Sequence, residues 1–183
     1  MTGDDDPLAV RAQTGDAQAF DALMRREKAG LYTFVRRYVG DPDQAYDILQ
    51  DTFVSAWRAR TRYDPTRPVG VWLRRIALNK CRDFSRRARV RRLALAAFAV
   101  EPTRGPLEAA SARGGAEERL ARLDRAIARL PGLYRDPLLL TTTGGLTHEA
   151  AAAVLGVSPK AVEMRLYRAR RRLAEILQDD GEG

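Results

Sequence analysis

The spacing of apolar residues is the feature that most restricts the fold of this chain. From Pro7 to about Arg92 the apolar residues recur every three or four positions, which is the period of one face of an α-helix. The clearest run is Phe20, Leu23, Met24, Leu31, Phe34, Val35 and Tyr38. No segment shows the alternation of apolar and polar residues that is typical of a half-buried strand. The sequence therefore predicts an all-α protein.

Prolines and glycines interrupt this helical pattern in the middle of the 183-residue chain. They are Pro102, Gly105, Pro106, Gly114 and Gly115, in a stretch rich in alanine. We interpret residues 93–116 as a flexible linker, although an acidic segment lying in a channel of a partner could have the same composition. The predicted organisation is a disordered lead (1–6), a first helical domain (7–92), the linker (93–116), a second helical domain (117–178) and a tail (179–183).

The second domain contains the pattern of a helix-turn-helix, in the segment GLTHEAAAAVLGVSPKAVEMRLYRARRRL. Thr147 is a candidate N-cap of a short helix, and Gly156 can adopt the left-handed conformation that ends it. Ser158 then caps a longer helix, in which Pro159 takes a position that proline prefers. A simple helical hairpin imitates this shape, but the basic residues of the second helix favour DNA binding.

The exposed first half of that second helix would meet base edges in the major groove, and its run of arginines would meet the phosphate backbone. The candidate DNA contacts are Ser158, Lys160, Glu163, Met164, Arg165, Arg168 and Arg171.

The sign of the charge changes along the first domain. Residues 1–57 carry a net charge of −4, whereas residues 58–92 carry +11. On the helix predicted from Val69, one face carries Trp72, Arg75, Asn79, Arg82 and Arg86. Guanidinium groups can neutralise phosphates, an indole can stack on an unpaired base, and an asparagine amide can bond a base edge. The alternative is a solvated basic face with Trp72 partly in the core, but the density of cations favours a nucleic acid.

An acidic helical face precedes this basic one. Asp43, Asp47, Gln50 and Asp51 share one surface of the preceding helix. Such acids commonly form a solvated face, and they also suit a protein partner. Paired carboxylates could indicate metal binding or acid–base catalysis, but the chain has one histidine, no second acidic cluster and no glycine-rich phosphate loop. We therefore expect neither an enzyme nor a metal site or cofactor.

Cys81 and His148 are assigned no role. Cys81 is the one cysteine, so no intramolecular disulfide can form, and its apolar neighbours predict a buried thiol. No apolar run approaches the length needed to span a bilayer, and the N-terminus lacks the pattern of a signal peptide. We expect a cytoplasmic protein that does not insert into a membrane.

Several motifs in fixed order carry a resemblance to a known family. They are VRAQTGDAQAFDALMRRE, DILQDTFVSAWRA, VWLRRIALNKCRDFSRR, ARLPGLYRDPLLL and LTHEAAAAVLGVSPKAVEMRLYRARRRL. In this order the chain resembles the extracytoplasmic-function sigma factors, small bacterial initiation factors that carry only sigma regions 2 and 4. The resemblance covers nearly the whole chain outside the linker and both ends.

The resemblance implies a sigma factor that binds core RNA polymerase and directs promoter-specific initiation without chemistry of its own. Asp47, Gln50, Asp51 and Phe53 fall where the family docks on the largest polymerase subunit. The loop 64–68, with Asp64 and Arg67, joins the basic face in the region that reads and melts the −10 element, and Asn79 with this loop would hold a flipped base. The second helix of the helix-turn-helix would read the −35 element. An anti-sigma partner is also expected.

Two rival functions are a helix-turn-helix regulator that binds duplex DNA alone and an enzyme acting on nucleic acid. The first leaves the segment from Asp47 to Phe53 and the Trp72 face without a purpose, and the second lacks acid clusters. The chain also departs from the family. Thr141–Gly145 stands where bulky apolar residues are common, and Pro137 lies where a helix usually continues. We therefore expect the second domain to be the less stable one.

Overall fold

The computed structural model describes residues 6–97 and 115–180, and within these ranges the chain is helical without any strand. This confirms the all-α prediction. In chain order the helices are α1 (Pro7–Gln13), α2 (Ala17–Val39), α3 (Pro42–Ala59), a short 3₁₀ turn (Arg60–Arg62), α4 (Val69–Ala97), α5 (Gly115–Arg129), α6 (Gly132–Thr142), α7 (His148–Leu155) and α8 (Pro159–Asp179).

The first domain consists of α1 to α4. Asp16 and Asp41 cap α2 and α3 by accepting bonds from backbone N–H groups of the first turn, and Gly40 ends α2 with a left-handed φ of 83°. Phe34 and Leu31 are fully buried at the centre, where α2 meets α3 and α4. These contacts fix the angle between the acidic helix α3 and the basic helix α4.

The second domain consists of α5 to α8, with α8 packed against the other three helices. Its buried apolar residues are aliphatic, whereas the first domain also buries Phe20, Phe34, Tyr38 and Tyr63. The helix-turn-helix has the predicted ends. The side chains of Thr147 and Ser158 accept from the N–H groups of Ala150 and Ala161, and Gly156 has a φ of 68°.

The ordered elements extend beyond the predicted domain boundaries. Asp6, assigned to the lead, caps α1 and forms an ion pair with Arg26. Helix α4 continues to Ala97, five residues into the range that we assigned to the linker, and α5 begins at Gly115, before the predicted end of the linker. Helix α8 runs to Asp179, the first residue of the predicted tail. The rest of the linker prediction, residues 98–114, lies outside the described residues, as do 1–5 and 181–183.

No helix in the described part of the chain is long and apolar enough to cross a membrane.

Candidate nucleic-acid and protein interfaces

The exposed face of α3 combines acidic and apolar side chains. Asp47, Gln50 and Asp51 are exposed, as the sequence analysis predicted, whereas Phe53 is half-buried and packs against the core. Tyr46 and Val54, with 46% and 48% of their surface exposed, lie on the same face at helical spacing. The sequence analysis missed them, although large apolar residues on an otherwise polar helical face are the signal of a contact surface.

The basic face of α4 is built around Trp72. Its indole is half-buried and packs against the ring of Tyr63, with the ring centroids 5.0 Å apart and the planes tilted by 43°. Arg75 and Asn79 are exposed one and two turns further along the helix. Arg86 is exposed and pairs with Asp83 at 2.9 Å, so its guanidinium is partly neutralised within its own helix.

The loop between the 3₁₀ turn and α4 is held by its own polar side chains. Asp64 accepts from the N–H and the hydroxyl of Thr66 at 3.1 and 2.7 Å, and these bonds are the main reason that its pKa is lowered. The hydroxyl of Tyr63 donates to the carbonyl of Arg67 at 2.6 Å. The Arg67 guanidinium lies 3.3 Å from Asp64. The loop is therefore held beside Trp72 by bonds among its own residues.

A cleft of about 700 Å³ lies between this loop and α4. Five of the seven residues predicted for the −10 contact line it: Asp64, Arg67, Trp72, Arg75 and Asn79. Ala153 and Val154, from α7 of the second domain, line the same cleft. The two domains thus meet at the predicted nucleic-acid site, a contact that the sequence analysis did not foresee.

Arg82 lies outside this cleft and contacts the second domain instead. Its Nε and one terminal nitrogen each lie 2.8 Å from Oδ2 of Asp136 on α6. The other oxygen of this carboxylate accepts from the hydroxyl of Tyr38 at 2.9 Å. Burial, followed by the nearby carboxylate of Asp136, raises the pKa of Tyr38. In this arrangement Arg82 is therefore engaged by protein.

The recognition face of α8 is exposed. Lys160, Glu163, Met164 and Arg168 point to solvent, while Arg165 is half-buried. Lys160 pairs with Glu163 at 2.8 Å and lowers the pKa of that carboxyl. The hydroxyl of Ser158 is engaged as the helix cap, and the nearest carboxylate to Arg171 is Glu175, at 3.8 Å.

Tyr167 lies among these residues with 59% of its surface exposed, and the sequence analysis missed it. It follows Lys160, Glu163 and Met164 at spacings of seven, four and three residues, so it shares their face. An exposed ring on a polar helical face could have been found from this spacing.

Cys81 has the burial that its apolar neighbours predicted. The thiol is fully buried, and burial raises its pKa. His148 is exposed in the first turn of α7. No group of three or more potential metal ligands occurs in the ranges 6–97 and 115–180.

Two family models match the chain. Sigma-70 region 2 matches residues 23–91 and Sigma-70 region 4 matches residues 120–173, which together cover most of both helical domains. The chain belongs to the sigma-70 family. The match of region 2 contains the α3 and α4 faces and the loop between them, and the match of region 4 contains the helix-turn-helix. Sigma factors act in transcription initiation, which confirms the function predicted from the motifs.

Curated relatives place this sigma factor among the extracytoplasmic-function group. The chain is 38% identical to the RNA polymerase sigma factor CnrH of Cupriavidus metallidurans, over 96% of this chain and 95% of that protein. It is 32% identical to the ECF RNA polymerase sigma factor SigM of Mycobacterium tuberculosis, over 94% of this chain and 84% of that protein. The resemblance stated from the motifs is thereby confirmed.

Solved structures share the fold. CnrH in complex with the cytosolic domain of CnrY superposes with a TM-score of 0.72 at 36% identity, covering 96% of this chain and 98% of that one. The sigma factor RpoE from Bartonella quintana, in complex with the anti-sigma factor NepR, gives a TM-score of 0.66 at 24% identity, covering 88% and 98%. The second likeness supports the fold alone.

Proposed function

We propose that this sigma factor binds core RNA polymerase through the exposed face of α3 and opens the −10 element on the face of α4, while α8 reads the −35 element. The observation that carries the proposal is the cleft beside Trp72. Its walls from the 3₁₀ turn, the loop and α4 bring two aromatic rings, an amide and three guanidinium groups together, one helix away from an acidic and apolar docking face.

The cleft suits an unpaired base and its phosphates. The ring of Trp72 offers a stacking surface, and base–aromatic stacking contributes about 1–3 kcal/mol per base. Asn79 lies on the same wall and carries both a donor and an acceptor for a base edge. Arg67 and Arg75 supply charge for the strand. Promoter opening would then be driven by the binding of bases that have left the duplex, without chemistry by the protein.

The face of α3 suits a protein partner. Asp47 and Asp51 provide charge that steers and orients a basic surface, and Tyr46 with Val54 provides apolar area that gains free energy on burial. Phe53 contributes from within, because its half-buried ring packs on the core and supports the helix. We assign this face to the polymerase rather than to DNA, since its carboxylates would repel phosphates.

The exposed residues of α8 suit duplex DNA. A recognition helix presents the side chains of its first half to base edges in the major groove. Lys160 and Met164 occupy that half, and Arg168 follows one turn later, toward the backbone. Tyr167 extends the same face and offers an apolar edge that can contact the methyl group of a thymine.

We further propose that the protein is not an enzyme, that it works in the cytoplasm beside the polymerase, and that an anti-sigma factor restrains it. The last proposal is supported by the similarity to CnrH, which was solved in complex with the cytosolic domain of CnrY.

Run-off transcription with purified core polymerase tests the function. Start sites mapped after overexpression first supply the promoter for the template. Asn79→Ala and Arg75→Ala are expected to lower strand opening, measured by permanganate reactivity, by about tenfold or more, because each removes a group from the cleft. Arg25→Ala is the matched control, since this exposed arginine on α2 pairs with Asp21 away from the cleft.

Two outcomes would overturn the proposal. If wild-type protein gives no transcript above core alone, the chain does not act as an initiation factor. If it binds the mapped duplex with equal affinity with and without core, the rival helix-turn-helix regulator explains the protein better.

A further inference from the structure

The contact between the two domains centres on a buried carboxylate. Among the described residues Asp136 is the one buried acid, with 4% of its surface exposed. It lies on α6 of the second domain, but its carboxylate bonds Tyr38 and Arg82, which both belong to the first domain. Buried carboxylates require such partners, because an unpaired charge in the interior is strongly destabilising. Asp136 is therefore satisfied only while the domains are together or when water reaches it.

Further contacts surround this carboxylate. The guanidinium of Arg135 lies 4.1 Å from the centroid of the Tyr38 ring, and one of its nitrogens lies 3.4 Å from the hydroxyl of Ser85. Arg37 on α2 pairs with Asp124 on α5 at 3.0 Å. Two arginines of the basic first domain are thus neutralised by two carboxylates of the second.

This contact places the second domain over part of the face that we assign to the −10 strand. Helix α6 holds Arg82, and helix α7 contributes Ala153 and Val154 to the cleft beside Trp72. The carboxylate of Asp136 occupies the edge of the Arg82 guanidinium formed by Nε and one terminal nitrogen, which could otherwise bind a phosphate, while 45% of this side chain stays exposed. A strand that follows the face from Trp72 to Arg82 must therefore compete with Asp136 for Arg82 and pass beside α6 and α7.

We propose that Asp136 is an intramolecular latch, which holds the sigma factor in a closed form where the Arg82 end of the −10 face is withheld from DNA. The inference rests on the proposed function, since it assumes that this face binds the promoter strand. The occupant that opens the latch is a polyanionic strand, which competes with Asp136 for Arg82. Apparent affinity for the strand is then the intrinsic affinity reduced by the fraction of molecules that are open.

Single-molecule energy transfer between the domains tests the latch in the full chain without DNA. Dyes are placed on cysteines introduced at the exposed residues Gln44 of α3 and Gln178 of α8, in a Cys81→Ala background. Asp136→Ala leaves the buried hydroxyl of Tyr38 without its acceptor in the closed form. We expect it to raise the ratio of open to closed molecules by about tenfold or more. Tyr38→Phe, which keeps the ring, is expected to raise the ratio of open to closed molecules by a smaller factor.

A matched control removes an aspartate from another ion pair. Asp180→Asn breaks the pair with Arg129, at 2.6 Å, inside the second domain, and should leave the domain distance unchanged. Circular dichroism confirms that each variant is folded. If neither Asp136→Ala nor Tyr38→Phe shifts the distance distribution, or if Asp180→Asn shifts it equally, there is no latch at Asp136.

The second measurement is the affinity of each variant for a fluorescein-labelled single strand of mixed sequence, longer than the roughly 4–16 nucleotides that one binding module covers. We expect the affinity of Asp136→Ala to rise by the same factor as its open fraction. An unchanged affinity in an opened variant would refute the claim that the closed form withholds the face. Run-off transcription by the wild type tests the proposed function separately, so the two failures can be told apart.

Discussion

Gly144 is the position at which a single methyl group should most clearly destabilise the second domain. It follows α6, where the N–H of Gly144 donates to the Leu139 carbonyl at 2.8 Å and the N–H of Leu146 donates to the Leu140 carbonyl at 3.0 Å. A Cβ at Gly144 would lie 2.6 Å from the carbonyl oxygen of Leu140 and 3.1 Å from its Cα. Heavy atoms in contact are ordinarily roughly 3.5–4.0 Å apart. The turn therefore has no room for alanine.

The magnitude of Gly144→Ala follows from two opposing effects. Forcing an extra methyl group into a packed region costs about 1–3 kcal/mol, and here the neighbour is backbone, which cannot rotate away. The lower entropy of the unfolded chain with alanine offsets about 0.4–1 kcal/mol. We expect a net loss of about 1.3 kcal/mol, or roughly 5–10 °C in melting temperature for a domain of this size.

Native-state hydrogen exchange in urea resolves this loss by domain. The amides of α6, α7 and α8 should lose protection in Gly144→Ala, and those buried in α2 and α3 should change little. Gly115→Ala is the matched control. A Cβ there meets nothing within 4 Å at the start of α5, so we expect no loss of stability. A change below about 0.5 kcal/mol in Gly144→Ala, which is ordinary for surface substitutions, would refute the reasoning.

Three further predictions follow from local contacts. Ser158→Ala removes the cap on the Ala161 N–H and should lower the unfolding free energy of the second domain by about 1 kcal/mol in urea titration, while Ser158→Asp should retain most of it. Arg168→Gln should weaken duplex binding and reduce its salt slope by about 1 in fluorescence anisotropy, unlike Arg25→Gln. Bonds to the Ala19 N–H and to Arg11 lower the pKa of Asp16, so its contribution to stability is present above its unfolded pKa near 3.8 and is lost as the pH falls below it. In Asp16→Asn the free energy of unfolding should therefore decrease less between neutral and acidic pH, and a pH profile identical to that of the wild type would contradict this.

The parts of the fold that the sequence predicted are those set by neighbours along the chain. The caps at Thr147 and Ser158 and the left-handed Gly156 each depend on a few adjacent residues, and all three were predicted. Which side chains share a face of α3 and which share a face of α4 was predicted from the helical period alone. Individual boundaries were less accurate, since α4 continues to Ala97 through residues whose composition resembles a linker.

The contact between the domains could not be predicted in the same way. Asp136 looks like any acid on a helix, and its partners are 54 and 98 positions away. Pro137 beside it suggested an interrupted helix, yet α6 continues through it. The hydroxyl of Thr141 bonds the carbonyls of Pro137 and Leu138 at 2.9 and 3.2 Å, so polar side chains after the proline satisfy backbone groups of this helix. The unusual Thr141–Gly145 segment is thus part of how α6 ends.

The packing of the second domain on the first changes how substitutions in the basic face must be interpreted. Loss of Arg82 would remove a proposed phosphate contact, which lowers affinity for the promoter strand, and would also release Asp136, which raises the open fraction. Because the two effects oppose each other, a small net change in transcription would not show that Arg82 is unimportant. Arg75 and Asn79 have no such partner on α6 among the described contacts, so their substitution tests DNA binding without releasing Asp136. Asp136 contacts one residue of the proposed DNA site, Arg82, so Asp136→Ala also frees that guanidinium in molecules that stay closed. Tyr38→Phe leaves the Arg82 pair in place and therefore isolates the effect on the closed form.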